Sequence, residues 1–96
     1  MQPSWHEEAT GEFCLSAVYY ESKTEGLGER FIMEVGATVA RILYDPESIR
    51  VFGHGCRKMN LRRFPYSVIY TVREDRVHVV AVMAHSRKPG YWIKRS

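Results

Sequence analysis

The chain has little cysteine, little proline and no long apolar run, and these scarcities exclude several classes of protein. Cys14 and Cys56 supply no disulfide framework and no CxxC pair, so both are expected as reduced thiols. No apolar run approaches the ~20 residues of a membrane span, so no membrane association is expected. No secretory signal pattern is present at the N-terminus, which predicts a cytoplasmic protein.

Metal-ligand spacing is also lacking. The four histidines are scattered, and the close pair His54-Gly-Cys56 has no second pair to complete a zinc site. We therefore expect neither a metal ion nor another cofactor. The 96 residues are 45% hydrophobic and 26% charged, which is typical of one small globular domain, placed here at residues 1–96.

Acidic residues are scarce in the second half of the chain. Residues 1–48 carry three basic and nine acidic side chains, a net charge of −6. Residues 49–96 carry eleven basic and two acidic side chains, a net charge of +9. The overall charge of +3 therefore hides a basic half, which indicates either a polyanionic or acidic partner or a charged solvated surface.

Helical periodicity is confined to residues 7–44. Apolar residues recur there at spacings of three and four in two runs, which predicts two antiparallel amphipathic helices. Ser4 is the expected N-cap of the first helix, with Glu7 as its capping-box partner. The second helix should end near Asp45-Pro46, because the residue before a proline disfavours helical angles. The apolar runs are Ala9, Phe13, Ala17 and Tyr20, then Leu27, Phe31, Val35, Val39 and Ile42.

The period changes to two after Ser48, which indicates strands. Val77–Ala84 is apolar on nearly every position and is the predicted central strand. Met1–Trp5 is either a short edge strand or a frayed end. The other predicted strands are Ile49–Phe52, Arg57–Phe64 and Tyr66–Val72. The expected fold class is α+β: a helical hairpin packed on one face of a mainly antiparallel sheet of three or four strands, followed by a basic tail.

The sheet face away from the helices is predicted to be cationic. Lys58 and Arg62 are an even number of residues apart, so both should point to that face. Arg87 follows the central strand, with Tyr91 or Trp92 beside it. Cationic groups bind phosphates and aromatic rings stack on unpaired bases, so the pattern favours RNA binding. It is also typical of cations that keep an uncovered sheet soluble.

The same face offers groups for metal-free RNA cleavage, in which a 2′-hydroxyl attacks the adjacent phosphate. That reaction needs a base, an acid and cations that stabilise charge on the phosphoryl oxygens. His85, two residues before Arg87, is the preferred acid–base candidate, and His54 is the other. The alternative for His85 is a strand-end histidine that only makes hydrogen bonds, and His78 is predicted to be structural, on the opposite face. The catalytic candidates are Lys58, Arg62, His85, Arg87 and Tyr91, and the RNA-binding candidates are Arg57, Arg63, Lys88 and Trp92.

Four stretches occur together in one order along the chain. They are Ala17-Val18-Tyr19-Tyr20-Glu21, Gly26-Leu27-Gly28-Glu29-Arg30-Phe31, Arg63-Phe64-Pro65-Tyr66-Ser67-Val68-Ile69-Tyr70 and His85-Ser86-Arg87-Lys88-Pro89-Gly90-Tyr91-Trp92. In this order they resemble the RelE/ParE superfamily of bacterial type II toxin–antitoxin toxins. The resemblance implies a helical hairpin on an antiparallel sheet. It implies two alternative activities, since RelE-like members cut mRNA in the ribosomal A site and ParE-like members inhibit DNA gyrase.

The resemblance also implies roles for single residues. Lys58 matches a catalytic lysine of RelE, Arg62 matches a basic position, and Arg87 matches the arginine after the central strand. Asn60 and Ser67, however, stand where RelE has a lysine and an arginine.

The catalytic tyrosine of RelE has no direct counterpart. The register puts Ile93 at that position, with Tyr91 two residues away. Some ribosome-dependent relatives use a histidine, which is the role that His85 would take here.

The leading hypothesis is a growth-arresting toxin that cleaves mRNA on the ribosome. The missing cations leave two alternatives open: an inhibitor of DNA gyrase that is not an enzyme, and a degenerate member that only binds its antitoxin. In each case the resemblance implies a cognate antitoxin, with an acidic segment that wraps the basic half in a toxin–antitoxin hetero-oligomer. The other expected partners are the ribosome with its mRNA or, in the alternative, DNA gyrase.

Overall fold

The computed structural model describes residues 2–95 and confirms the α+β class. Two helices pack on a four-stranded sheet. In chain order the elements are β1 (Ser4–Trp5), α1 (Glu7–Lys23), α2 (Leu27–Tyr44), β2 (Arg57–Asn60), β3 (Tyr66–Arg73), β4 (Arg76–Ala84) and a 3₁₀ helix (Ile93–Arg95). Within this described range, neither α-helix combines the length and apolarity that crossing a bilayer would take.

The sheet has the strand order β1-β4-β3-β2. β1 pairs with β4 in parallel, and the other two pairings are antiparallel. Residues 4–5 therefore form an edge strand, and β4 lies inside the sheet as predicted. The apolar character of β4 fits burial on both faces of the sheet, since Val79 and Val82 belong to one buried cluster and Val80 and Ala81 to another.

The N-cap of α1 is His6, and the prediction of Ser4 was wrong. Nδ1 of His6 accepts a hydrogen bond from the Glu8 amide at 3.1 Å. Ser4 belongs to β1 instead, where its hydroxyl lies 2.7 Å from Nδ1 of His78. Pairing with β4 keeps the chain extended through Trp5, so the helix begins at Glu7 with the next polar residue as its cap.

A tight turn joins the helices, and glycine is required at two of its positions. Gly26 has a left-handed φ of 84°. A Cβ on Gly28 would lie 2.5 Å from the Ala17 carbonyl oxygen, so the two helices are in close contact there. The Glu21 carboxylate accepts hydrogen bonds from both glycine amides at 2.9 Å, and these bonds lower the pKa of Glu21.

The helix-side core lies between the helices and the sheet. Phe31 is fully buried there, and its ring meets those of Tyr20, Phe64 and Tyr66 at centroid distances of 5.3, 5.2 and 4.9 Å. The other buried members are Ala9, Val35, Val39, Ile42, Leu61, Val68, Tyr70, Val77, Val79 and Val82. Its buried residues on the two helices all belong to the apolar runs that the sequence shows at spacings of three and four. Helical periodicity therefore predicted this part of the core correctly.

Two predicted strands differ in the structure. Residues 49–52 form no strand, and an isolated bridge between Gly53 and Cys56 closes a turn just after them. β2 ends at Asn60 rather than at Phe64. The amides of residues 62 and 63 donate hydrogen bonds to the Glu34 carboxylate on α2, so the chain leaves the ladder there.

A register shift in the β3–β4 pairing decides which residues share a face. Thr71 pairs with His78 and Ser67 pairs with Met83, so a step of four residues in β3 matches a step of five in β4. The extra residue is a β-bulge, which reverses the alternation along β4. His78 and Met83 therefore lie on the same face as His85, whose ring reaches Ser67. The prediction that the two histidines lie on opposite faces was wrong.

The sheet face away from the helices is covered, contrary to the expectation that it is open. The C-terminal tail forms a second core over this tail-side face, with Cys56, Ile69, Val80, Ala81 and Trp92 as its buried members. Trp92 is 3% exposed, and its ring centroid lies 5.5 Å from that of Phe52. The polar candidates therefore surround a small apolar centre, called here the tail-side core, rather than a bare sheet.

Candidate functional site

Lys58, Asn60 and Ser67 lie on the tail-side face. The β2–β3 register pairs Lys58 with Ile69, and Asn60 with Ser67. Ile69 is a member of the tail-side core, so the polar residues that alternate with it point to the same side. This strand pairing builds one half of the site.

His85 is connected to this half by a buried serine. Ser67 is 0% exposed, and its hydroxyl donates a hydrogen bond to Oδ1 of Asn60 at 2.6 Å. Nε2 of His85 lies 2.8 Å from the same hydroxyl oxygen. The His85 amide also donates to the Pro65 carbonyl at 2.8 Å, so main chain and ring are both held at the start of β3. The imidazole is nevertheless exposed, which suits an acid–base group.

Lys58 and Arg87 each rest on an aromatic ring. Nζ of Lys58 lies 5.4 Å from the ring centroid of Phe52, which packs in turn on Trp92. Cζ of Arg87 lies 3.9 Å from the ring centroid of Tyr91. A cation–π contact holds a cation in place without neutralising it. Both cations are exposed and remain able to attract an anion.

Tyr91 is positioned as a support for Arg87 rather than as a proton donor. Its hydroxyl is buried beside the Glu12 carboxylate, without a well-aligned hydrogen bond. Burial raises the pKa of Tyr91, and Glu12 adds to the shift. A hydroxyl that is inaccessible and hard to ionise does not suit proton transfer, so the expected catalytic role of Tyr91 does not fit this conformation.

Glu12 and Arg95 fasten the tail to the sheet. Oε1 of Glu12 accepts hydrogen bonds from the Val82 amide and from Arg95, both at 3.0 Å. Arg95 also donates to the Val80 carbonyl at 3.3 Å. β1 pairs only with residues 78 and 79 of β4, so these two side chains satisfy backbone groups further along the same edge.

Arg57 and Trp92 are engaged inside the protein. The Arg57 guanidinium donates to the carbonyls of Glu47 and Ile49 at 2.9 and 2.8 Å, which holds the loop before β2. Trp92 belongs to the tail-side core, as described above. Neither side chain is presented to RNA in this structure, although both were predicted to bind it.

Arg62 and Arg63 lie away from Lys58, because β2 ends before them. They border a cavity of about 680 Å³ between α2 and the turn that precedes β3, called here the arginine groove. Its polar lining is Arg30, Arg41, Arg62, Arg63 and Glu34, and its apolar lining includes Tyr20, Leu27, Met33, Ala37, Phe64 and Pro65. The predicted pairing of Arg62 with Lys58 on one face was therefore wrong.

The remaining candidates occupy separate places. Lys88 is exposed in the tail, next to Arg87. His54 is exposed in the turn before β2, with a left-handed φ of 52°. His78 lies beside the Ser4 hydroxyl, and burial lowers the pKa of His78. Among residues 2–95, no three His, Cys, Asp or Glu side chains are grouped so that they could hold a metal ion.

Sequence reasoning missed three residues that organise the site: Phe52, Glu12 and Glu34. Phe52 was assigned to a strand, whereas its ring supports Lys58. Glu12 follows the buried Ala9 by three residues, and Glu34 follows the buried Phe31 by three residues. A carboxylate at the border of an apolar stripe was the available signal for both.

Comparison with known proteins identifies the family of the chain. Residues 4–89 match the family described as ParE toxin of type II toxin-antitoxin system, parDE. No curated protein matches the chain significantly. The matched range contains both α-helices, all four strands, His85 and Arg87. The chain therefore belongs to the ParE toxin family of the RelE/ParE superfamily, and it is the toxin of a type II toxin–antitoxin system with a cognate antitoxin as its partner.

Proposed function

We propose that this toxin arrests growth by cleaving mRNA on the ribosome, with His85 as the general base. The supporting observation is the His85 ring, held 2.8 Å from Ser67 on the face that also carries Lys58, two residues before Arg87. An exposed imidazole can act as the base of metal-free phosphodiester cleavage, and exposed cations can stabilise the charge on the phosphoryl oxygens. We further propose that the protein acts in the cytoplasm, where its target is found.

The proposed step is internal transfer within the RNA. Nδ1 of His85 takes the proton of a ribose 2′-hydroxyl, and the 2′-oxygen forms a bond to the adjacent phosphorus. The bond from phosphorus to the 5′-oxygen breaks, solvent water protonates that oxygen, and protonated His85 returns its proton to the hydroxide that remains. The products are a 2′,3′-cyclic phosphate and a 5′-hydroxyl, with no other reactant consumed.

Lys58 and Arg87 stabilise the charge that develops on the phosphoryl oxygens. The aromatic rings beneath them reduce the number of positions that each cation samples, so less entropy is lost when phosphate binds. Each well-placed donor contributes on the order of 100-fold to the rate. Arg62 lies at the arginine groove and the Tyr91 hydroxyl is buried, so neither contributes to the proposed reaction. Catalysis therefore depends on fewer groups than the sequence indicated.

Mapping of mRNA ends after induction tests this proposal. Primer extension on a translated reporter should show new 5′ ends, and His85→Gln should reduce them by about 100-fold, as expected when a general base is lost. His54→Gln is the matched control, since it removes an exposed histidine outside the site and should leave cleavage unchanged. Intact reporter mRNA together with growth arrest would refute the nuclease assignment.

A second candidate function is inhibition of DNA gyrase without catalysis. It is favoured by the ParE description of the matched family and by the burial of the Tyr91 hydroxyl and of Trp92. In that case the purified chain should block supercoiling by gyrase, and induction should trigger the DNA-damage response. His85→Gln should then remain toxic, because a protein-binding surface tolerates loss of one imidazole better than a catalytic site does.

We propose that the antitoxin binds the arginine groove through an acidic amphipathic segment. Four arginines and one glutamate surround an apolar floor, which complements a helix or strand with acidic and apolar sides. Met33 lines the groove and is 67% exposed, so it offers an apolar contact to a bound segment.

Co-expression with the adjacent small gene tests the groove. Met33→Asp should weaken capture of the antitoxin by at least about tenfold, because it places a charge against apolar and acidic groups. Leu15→Asp is the control, since Leu15 is also an exposed apolar residue, 73% exposed on α1, but does not line the groove. Equal capture of the Met33 variant and the unmodified chain would contradict the proposed docking surface.

A further inference from the structure

We propose that Ser67 and Asn60 are positioning residues that fix the tautomer and orientation of His85, so that Nδ1 is the nitrogen available as a base. The two hydrogen bonds that join Asn60, Ser67 and His85 are called here the relay. The effect of the relay on catalysis rests on the proposed nuclease function, whereas the relay itself does not. Ser67 is a polar residue of strand β3 that is 0% exposed. A buried hydroxyl is costly unless it is paired, so its two bonds are expected to have a purpose beyond packing.

The Ser67 hydroxyl carries one hydrogen, and the assigned Asn60 amide orientation gives that hydrogen one acceptor. The O–H donates to Oδ1 of Asn60 at 2.6 Å, and an amide oxygen can only accept. The same hydroxyl oxygen lies 2.8 Å from Nε2 of His85. With its hydrogen already used, Ser67 can only accept that second bond, so Nε2 must carry the proton.

This assignment leaves Nδ1 of neutral His85 with its lone pair. The ring is exposed, and the two nitrogens lie on different sides of it, so Nδ1 faces away from the Ser67 contact. The His85 amide bond to Pro65 fixes the main chain of the same residue at 2.8 Å. A backbone anchor and a ring anchor together define one ring orientation, which is what a positioned base requires.

The relay also gives a physical reason for the residues that depart from the superfamily pattern. The superfamily resemblance implies cations at positions 60 and 67, and a lysine or arginine could not accept the hydrogen bonds that Asn60 and Ser67 accept here. An amide and a hydroxyl form a neutral relay instead. The two departures are therefore coupled, since each residue completes the hydrogen bonding of the other.

Nitrogen-15 NMR of the histidine rings in the full chain tests the relay directly. At a pH well above the usual histidine range, His85 should be almost entirely the Nε2–H tautomer, to a greater extent than the exposed His54. Ser67→Ala and Asn60→Ala should shift the tautomer ratio of His85 toward that of His54. Asn60→Asp keeps an acceptor oxygen and should retain the ratio of the unmodified chain. His6, whose Nδ1 accepts from the Glu8 amide, is an internal reference that should not change.

Three NMR results would contradict the proposal. An Nδ1–H tautomer in the unmodified chain would mean that Asn60 donates and Ser67 passes its hydrogen to Nε2, which overturns the proposal. A tautomer ratio equal to that of His54, or one that neither alanine variant alters, would also overturn it. Asn60 is exposed, so its alanine variant keeps the test valid even if a substitution at buried Ser67 disturbs folding.

Reporter cleavage by the same variants separates the relay from the nuclease. Ser67→Ala should lower cleavage by about tenfold, less than His85→Gln, because the base remains but its orientation is lost. If the NMR results hold while the unmodified chain cleaves no mRNA, the relay stands and the proposed function fails. If the chain cleaves mRNA while the tautomers are unaffected by the variants, the opposite is true.

Discussion

The helix-side core and the tail-side core cover opposite faces of the same sheet with different chemistry. The helix-side core is built from aromatic and branched apolar residues on two helices and the sheet. The tail-side core is smaller, and a short tail covers it. Three buried polar atoms without well-aligned partners lie in or beside that tail: Oε2 of Glu12, the Tyr91 hydroxyl and Nε1 of Trp92.

This difference separates stability from function. The core between the two helices and the sheet has more buried apolar members than the tail-side core, so the helix side contributes more to stability. The tail side keeps polar groups close to a small apolar centre, where they support exposed cations and an imidazole. Unpartnered polar atoms lower stability and are retained more readily where a site requires them.

The largest expected effect on stability comes from removing a side chain of the helix-side core. Phe31→Ala should lower the free energy of unfolding by about 3–5 kcal/mol, because it deletes a 0% exposed ring in contact with several others. Denaturant unfolding measures this change. Ile32→Ala, at a neighbouring position that is 46% exposed, should cost less than about 0.5 kcal/mol. Similar losses for the two variants would contradict the assigned core.

The equivalent deletion on the tail side should have a smaller and more local effect. Trp92→Ala should cost about 2–3 kcal/mol, since water can enter the space beneath a short tail and limit the cavity penalty. Amide hydrogen exchange should show lost protection in residues 86–95 and around Phe52, while α2 keeps its protection. Uniform loss of protection throughout the chain would show that the two cores are one cooperative unit.

Acid should act on the tail-side face through His78. Burial lowers the pKa of His78, with smaller contributions from Arg73 and His6, so the folded state favours the neutral ring. The stability that this provides is present above the ordinary histidine pKa of about 6.5 and is lost as the pH falls below it. His78→Gln should therefore give a shallower loss of stability between neutral and mildly acidic pH, measured by denaturant unfolding at each pH. Parallel slopes for the variant and the unmodified chain would contradict this account.

The smallest expected effect is that of Tyr91→Phe. Removing a buried, poorly partnered hydroxyl should change the free energy of unfolding by less than about 1 kcal/mol at neutral pH. Burial raises the pKa of Tyr91, so its contribution to stability is lost as the pH rises above the ordinary tyrosine value of about 10. The variant should lose less stability than the unmodified chain under alkaline conditions. A large loss at neutral pH would show that the hydroxyl has a structural partner.

Much of the fold followed from local pattern. The spacing of Phe31, Val35 and Ile42 predicted the buried side of α2, and the apolar run of β4 predicted an inner strand. Strand alternation also placed Lys58 and Asn60 on one face, which β2 confirms. These features depend on neighbours within a few residues, so the sequence carries them directly.

The site was less predictable, because it depends on contacts between distant parts of the chain. Glu34 on α2 binds the amides of residues 62 and 63 and ends β2 early, which moves Arg62 into the arginine groove. Nothing in the spacing of Lys58 and Arg62 reveals a carboxylate that lies nearly thirty residues away in the chain. The burial of Trp92 likewise depends on the tail folding back over β3 and β4.

The two-layer fold and the separation of charge between the halves followed from the sequence alone, because periodicity and composition act locally, and four motif stretches carried the resemblance to the superfamily. Which polar residues share a face or a hydrogen bond depends on the tertiary structure. One extra residue in β4 brings His78 to the same face as His85, and strand pairing brings Asn60 and His85 to the two sides of one buried serine hydroxyl. A bulge and a hydrogen bond of this kind depend on the partner strand, whose position is set only when the chain packs.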